Sequence, residues 1–210
     1  LYSFIILKKF LRFLKENGFK KYPVHVKLNT GLNRVGFSLD DLPDVLSKIL
    51  KSSNIVVRSI YSHLAASEDT SEISFSKKQI ELFNTMSSNI ISKLEYTPML
   101  HICNTSGLIN FPEAHYDMVR SGIGLYGFSG AQKIKFSPVH RLKSVISQIH
   151  TINKNESVGY NRSHYSQKNE KIATIPIGHA DGITRVFGNK KGFVFINGEK
   201  AFIVGNVCMD

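Results

Sequence analysis

The sequence predicts an α/β fold followed by a mostly β one, and three observations carry the prediction. Through Gly127, stretches with apolar residues at helical spacing alternate with short apolar runs, the pattern of a parallel sheet with crossover helices, open or closed into a barrel. After Gly127 no helical period returns, and short alternating runs replace it. The ends of the first set of runs collect polar and ionisable residues, and in a parallel sheet those carboxyl ends are where ligands gather.

Each element has its own reason. Phe4, Leu7, Leu11 and Leu14 stripe one face of a helix over 3–17, which Asn17-Gly18 closes. Residues 24–28 read as a short strand. A second helix over roughly 40–51 sets Leu42, Val45, Leu46, Ile49 and Leu50 on one side. The β-branched run 55–64 is a strand. Ser76 is the expected N-cap of a long helix carrying Ile80, Phe83, Ile90 and Leu94. Residues 99–102 form the next strand and 118–119 a further, very short one. A linker is expected over 129–138, then strands over 145–152 and 171–177. The Asn197-Gly198 pair asks for a type I′ turn in a hairpin over 192–204. These assignments divide the chain into domains 1–135 and 136–210.

Bulk properties narrow the function classes. A 42% apolar, 20% charged composition over 210 residues suits a globular protein with a real core. No apolar run is long enough to span a bilayer, so no membrane partner is expected. The net charge of +11 is spread over helices and loops, with only short pairs such as Lys20-Lys21 and Lys190-Lys191. Without a basic stripe interleaved with aromatics it gives no nucleic-acid footprint. Cys103 and Cys208 stand in apolar surroundings, which fits a reducing cytoplasm, and no spacing of ligands implies a metal. The chain opens without Met and ends abruptly after Met209-Asp210, and it reads as an internal piece of a longer protein.

The chemistry-bearing segments fall at strand ends. In 104–127, the hydroxyl of Thr105 beside Asn104, with the backbone of the Gly122-Ile123 turn, has the makings of a phosphate grip. Arg120 is a permanent planar cation able to reach whatever ring the phosphate carries. The same segment also suits an ordinary strand-to-helix loop with a solvated Arg. Lys27 lies within a strand, where a buried ammonium needs a partner or a covalent modification. A carbamate would let it pair with Arg34, which in turn suits a substrate carboxylate or is simply a turn residue. His63 ends another strand, as catalyst or as satisfied structural residue. Tyr160, in Gly159-Tyr160-Asn161-Arg162, is packing unless a neighbour lowers its pKa enough to make it a base. The loop 178–185 is either the rim of a site or solvated.

Taken together, the segments 24–37, 61–69, 104–127, 157–162, 172–185 and 194–210 resemble alanine racemase, a fold-type III pyridoxal-phosphate family, in collinear order over essentially the whole chain. The resemblance implies a partial TIM-type (β/α)8 barrel that binds pyridoxal 5′-phosphate, followed by a mostly β domain, both truncated, in a homodimer with shared active sites. Thr105 then matches a phosphate-binding Ser, with Asn104 beside it, and Gly122 and Ile123 match backbone phosphate donors. Arg120 faces the pyridine nitrogen with His63 as its neighbour. Arg34 orients the phenolic base and contacts the substrate carboxylate, Met209 contacts that carboxylate through its backbone, and Lys27 is the position carbamylated in many members. Tyr160 is the catalytic base, reaching into the other subunit's pocket. Its pKa would be lowered by Arg34. Glu68, His179, Arg185 and Asn206 line the entrance.

The implied activity is isomerisation of L- and D-alanine by two-base transfer of the Cα proton, supplying D-alanine for peptidoglycan in the cytoplasm. The cofactor lysine belongs before Leu1, so this chain alone is expected to be inactive. His179 stands where the family has Tyr in a Gly-Tyr-Ala-Asp-Gly loop, and Thr105 where it has Ser. The competing readings are a non-catalytic pyridoxal-phosphate-binding barrel, which the β domain with Tyr160 argues against, and a racemase for another small amino acid such as serine, or a related fold-type III decarboxylase.

Overall fold

A computed structural model describes residues 1–130 and 134–210, which divide into two units, Leu1–His140 and Arg141–Asp210, against an expected boundary at 135/136. Part of the expected linker, 131–133, lies outside the described residues.

The first unit is built on three parallel strands in the order β1 (Tyr22–Lys27), β2 (Ile55–Tyr61) and β3 (Met99–His101). Lys27 is paired with Tyr61, and Tyr61 with His101, so the carboxyl ends of all three strands meet in one row. Helix α1 (Phe4–Glu16) starts where the Ser3 hydroxyl accepts from the Ile6 amide, and it buries Leu7 and Leu14 completely. Helix α2 (Leu42–Leu50) turns Leu42, Val45, Leu46 and Ile49 inward. Helix α3 (Ile73–Ile91) adds Phe83, Met86 and Ile90, all fully buried. Side chains of this size stabilise by roughly 1.5–3 kcal/mol each on complete burial.

Three expectations are corrected here. Ser76 does not cap α3. The Asp69 carboxylate accepts from the Ser71 amide and starts a 3-10 turn, Thr70–Glu72, that runs directly into the helix at Ile73. Ser76 therefore lies inside the helix, buried, its hydroxyl without a partner among the described residues. The strand expected over 55–64 stops at Tyr61, because the Ser62 hydroxyl turns back to donate to the Leu28 carbonyl. No strand forms at 118–119: the Asp117 carboxylate takes the Leu100 amide that a fourth strand would use. The backbone there keeps single bonds, Asp117 N to Leu100 O and Arg120 N to Cys103 O.

The second unit consists of antiparallel pairs: β4 (Gln148–Ile152) with β7 (Glu170–Thr174), β5 (Ser157–Val158) with β6 (His164–Tyr165), and β8 (Phe193–Ile196) with β9 (Glu199–Phe202). Strand β7 ends before Pro176, which has no amide to donate to a ladder. Asn197 and Gly198 take φ of +50° and +87°, the left-handed pair that a type I′ turn requires. Of the two cysteines expected in apolar surroundings, Cys103 is buried and Cys208 half-buried.

Among the described residues no helix is long and apolar enough to cross a membrane, and no three His, Cys, Asp or Glu side chains gather as a metal site.

Candidate active site

Arg120 is the hub of the first unit. After β3 and α4 (Thr105–Asn110) the chain returns, and the Arg120 amide donates to the Cys103 carbonyl at 3.0 Å. That return directs the guanidinium along the strand ends. It donates to Nδ1 of His101, to Nδ1 of His63 at 3.2 Å, and to the carbonyls of Ser62 at 2.7 Å and Ile102 at 3.3 Å. Its Cζ lies 5.4 Å from the Tyr61 ring centroid, and Tyr61 stacks on His101 with ring centroids 5.0 Å apart. No carboxylate is among these partners. A guanidinium has only donors, so each histidine must present a lone pair to it and remain neutral. Burial, reinforced by the charge of Arg120, holds both histidines down to about 4. Lys27 and Arg34 add to the effect at His63, which Glu68 opposes.

His101 was missed by sequence reasoning, although the signal was there. It ends the strand over 99–102 as His63 closes the expected strand over 55–64, and the rule that selects one selects the other.

Thr105 opens α4, with Asn104 as the N-cap. The Asn104 side-chain oxygen accepts from the Gly107 amide and the Ser67 hydroxyl, both at 2.8 Å, which anchors the segment leading to Glu68. The buried Thr105 Oγ1 accepts from the amides of Gly122 at 3.0 Å and Gly124 at 3.1 Å. The amide of Ile123, the first residue of the 3-10 turn Ile123–Tyr126, lies between those two. A Cβ on Gly124 would stand 2.7 Å from the Thr105 methyl, so this approach needs glycine. A hydroxyl with its proton uncommitted to the two amides, set among consecutive N–H groups, is a chemically suitable donor set for a phosphate.

Lys27 is buried at the end of β1, its Nζ 5.1 Å from the Tyr61 ring centroid. Burial first, then Arg120 and Arg34, lower its pKa to about 8. Arg34 is exposed on a loop that Asn29 shapes by accepting from the Gly31 and Asn33 amides. A 2.7 Å contact between Thr30 Oγ1 and Ser62 Oγ ties that loop to the His63 segment. Lys27, His63, Arg120 and the Thr105 turn are thus gathered on one set of strand ends, with Arg34 and Glu68 on exposed positions beside them.

The second unit carries the other expected residues. Tyr160 is 74% exposed on a 3-10 turn after Gly159, and its carbonyl accepts from Asn206 at 3.5 Å. His179 Nε2 lies 3.1 Å from Arg185 Nη2, so it too presents a lone pair to a guanidinium. The His179 and Ala180 amides donate to the carbonyls of Cys208 and Met209, which pins the 178–181 loop to the Met209 segment.

Comparison with known proteins gives consistent matches. Residues 3–130 match the family model for the alanine racemase N-terminal domain, and residues 139–210 that for the C-terminal domain. The alanine racemase of Carboxydothermus hydrogenoformans is 35% identical over 191 residues, 89% of this chain and 51% of that protein. Among solved structures, alanine racemase of Clostridium difficile 630 is similar with a TM-score of 0.87 at 29% identity, over 100% of this chain and 55% of that one. Alanine racemase from Bartonella henselae with covalently bound pyridoxal phosphate is similar with a TM-score of 0.81 at 29% identity, over 100% and 57%. The chain spans about half the length of the curated relatives it matches. These likenesses bear out the expected fold class, a partial TIM-type (β/α)8 barrel followed by a mostly β domain.

Proposed function

Because the chain belongs to the alanine racemase family, we propose that its protein is an isomerase interconverting L- and D-alanine with pyridoxal 5′-phosphate as cofactor. The observation that carries this reading is Arg120, held by two neutral histidines and no carboxylate, beside the Thr105 hydroxyl and the Gly122–Gly124 amides. This donor set fits the cofactor's phosphate. The Thr105 hydroxyl and the amides of Gly122 and Ile123 would hold it. When bound, the cofactor supplies the electron-withdrawing ring that acidifies the Cα–H of the amino acid.

Every other role falls to this chain's residues. Arg120 has no proton-accepting atom, so at the ring-nitrogen edge it supplies positive charge and hydrogen-bond donation and discourages protonation there. His63 and His101 fix its orientation by accepting from it. Arg34 provides positive charge for the substrate carboxylate, with the Met209 backbone as a further contact, and Lys27, its pKa lowered to about 8, is the position for a carbamate that would pair with Arg34. The partner subunit's Tyr160 takes or returns the Cα proton on one face, which requires a homodimer with shared sites. Glu68, His179, Arg185 and Asn206 form the entrance. The product serves peptidoglycan synthesis in the cytoplasm.

The test is an assay of the full-length protein, with bound cofactor, in both directions. Racemisation of alanine that collapses in Tyr160→Phe is the expected result. Undiminished turnover in both directions by that variant would remove Tyr160 from the reaction. No racemisation by the intact protein would return the reading to a non-catalytic binding barrel, and preferential turnover of serine would reassign the substrate.

A further inference from the structure

Behind Arg120, His101 ends a row of three side chains from three neighbouring strands, and the other two, Ser59 and His25, touch neither Arg120 nor the Thr105 turn. His25 on β1 is paired in register with Ser59 on β2, and His101 lies on β3. His25 Nδ1 is 2.5 Å from Ser59 Oγ, and Ser59 Oγ is 3.0 Å from His101 Nε2. The other nitrogen of His101, Nδ1, meets Arg120 Nη1.

Counting protons along this row leaves one arrangement. Arg120 can only donate, so His101 Nδ1 accepts. Burial keeps His101 neutral, so its single proton is on Nε2 and is donated to Ser59 Oγ. Ser59 is fully buried, away from water. With Oγ already accepting from His101, its own proton goes to the remaining neighbour among the described residues, His25 Nδ1. His25 therefore holds its proton on Nε2. Each tautomer is dictated by the one before it, and the permanent donor Arg120 sets them all.

We propose that His25 and Ser59 are positioning residues: they hold His101 with Nδ1 as acceptor and so fix the orientation of the Arg120 guanidinium. If the row is broken at Ser59 or His25, His101 loses the partner that requires its proton on Nε2. The ring can then rotate or exchange tautomers, and Arg120 loses an aligned acceptor. The effect on turnover rests on the proposed racemase reading, whereas the tautomer assignment does not.

The experiment uses the full-length protein labelled with 15N-histidine. Ring-nitrogen resonances of His101, identified by their loss in His101→Gln, should show a bare Nδ1 and a protonated Nε2 at neutral pH. Ser59→Ala and His25→Phe should convert that pattern to exchanging tautomers and lower kcat about two- to tenfold with little change in KM, the loss of one net hydrogen bond. Ser59→Thr, which keeps a hydroxyl, and His25→Gln, whose amide oxygen accepts, should restore both readouts. A proton on His101 Nδ1 in the wild type overturns the proposal, as does an unchanged His101 tautomer in His25→Phe. His25 occupies an exposed position, so that variant decides alone if Ser59→Ala does not fold. The resonances are read whether or not the protein racemises alanine, so the two proposals fail separately.

Discussion

Replacing Thr105 by Val keeps the shape of the side chain and removes the one oxygen that receives two amides. Thr105 is 4% exposed, and its Oγ1 accepts from Gly122 at 3.0 Å and Gly124 at 3.1 Å. Each such bond contributes about 1 kcal/mol net. Gly122 is exposed, so water replaces the lost acceptor there, while Gly124 is half-buried. The expected loss of stability is therefore about 1–2 kcal/mol. Thr105→Ser keeps both bonds and deletes a buried methyl, a loss of about 1 kcal/mol. The two variants thus come out nearly equal in urea unfolding and should separate on cofactor affinity. The hydroxyl's charge-assisted bond to a phosphate is worth about 1.5–3 kcal/mol, so Thr105→Val should weaken pyridoxal phosphate binding by about 10- to 100-fold. Thr105→Ser should stay close to wild type. Titration of the full-length protein by cofactor absorbance reads the affinity, with unphosphorylated pyridoxal as control. If Thr105→Val binds the phosphorylated cofactor as tightly as wild type, or loses equally for pyridoxal, the phosphate assignment of this turn is wrong.

His101 takes up a proton at about 4 when folded against 6.5 as its ordinary value, so between those limits the unfolded chain binds more protons. Stability should therefore rise with pH from about 4 to about 6.5 and be lost on acidification through that window, by roughly 3 kcal/mol for one buried histidine. His101→Gln should flatten the slope between urea unfolding curves at about pH 4.5 and pH 7, and an unchanged slope would mean that His101 is not held neutral. Gly36 has φ +126°, and a Cβ there would stand 2.7 Å from the Asn29 amide nitrogen and the Leu28 carbonyl carbon, so Gly36→Ala should cost about 3 kcal/mol or more. A near-wild-type thermal midpoint would contradict that close packing. Gln79 is buried, accepts from the Ala65 amide at 2.9 Å and donates to the His63 carbonyl at 3.3 Å. Gln79→Leu should cost about 2–4 kcal/mol and speed exchange of the Ala65 amide, and unchanged exchange would show that the clamp is not closed in solution.

The parts of the fold that were legible are those where one local rule acts alone. The helices announced themselves by period, and Asn197-Gly198 by the backbone that only such a pair adopts easily. The misreadings occur where a side chain competes with the backbone. Asp69 starts a turn ahead of α3 and displaces Ser76 from the cap, and Asp117 occupies an amide that a strand at 118–119 would need. The candidate site was legible to the extent that strand ends could be located. Lys27, His63, Thr105 and Arg120 meet because Lys27, Tyr61 and His101 are in register, and register is a pairing fact that no single segment contains. His25 and Ser59 were invisible for the same reason: neither is unusual alone, and only the sheet sets them in line with His101.

The electrostatics of these strand ends follow from that register. A buried lysine and two guanidiniums are set near one another with no carboxylate bonded to Arg120, and each lowers the pKa of Lys27 or of His63. By itself this arrangement destabilises the fold, since burial and like charge act in the same direction. The neutral histidines do not relieve it; they orient Arg120 and contribute no compensating charge. The Thr105 turn adds no anion, since its Gly122 and Gly124 amides donate to the neutral Thr105 hydroxyl oxygen. Positive charge gathered at the carboxyl end of a parallel sheet is relieved by any anionic ligand that binds there. Folding stability and ligand affinity are then one linked quantity, because whatever removes the repulsion also holds the strand ends together.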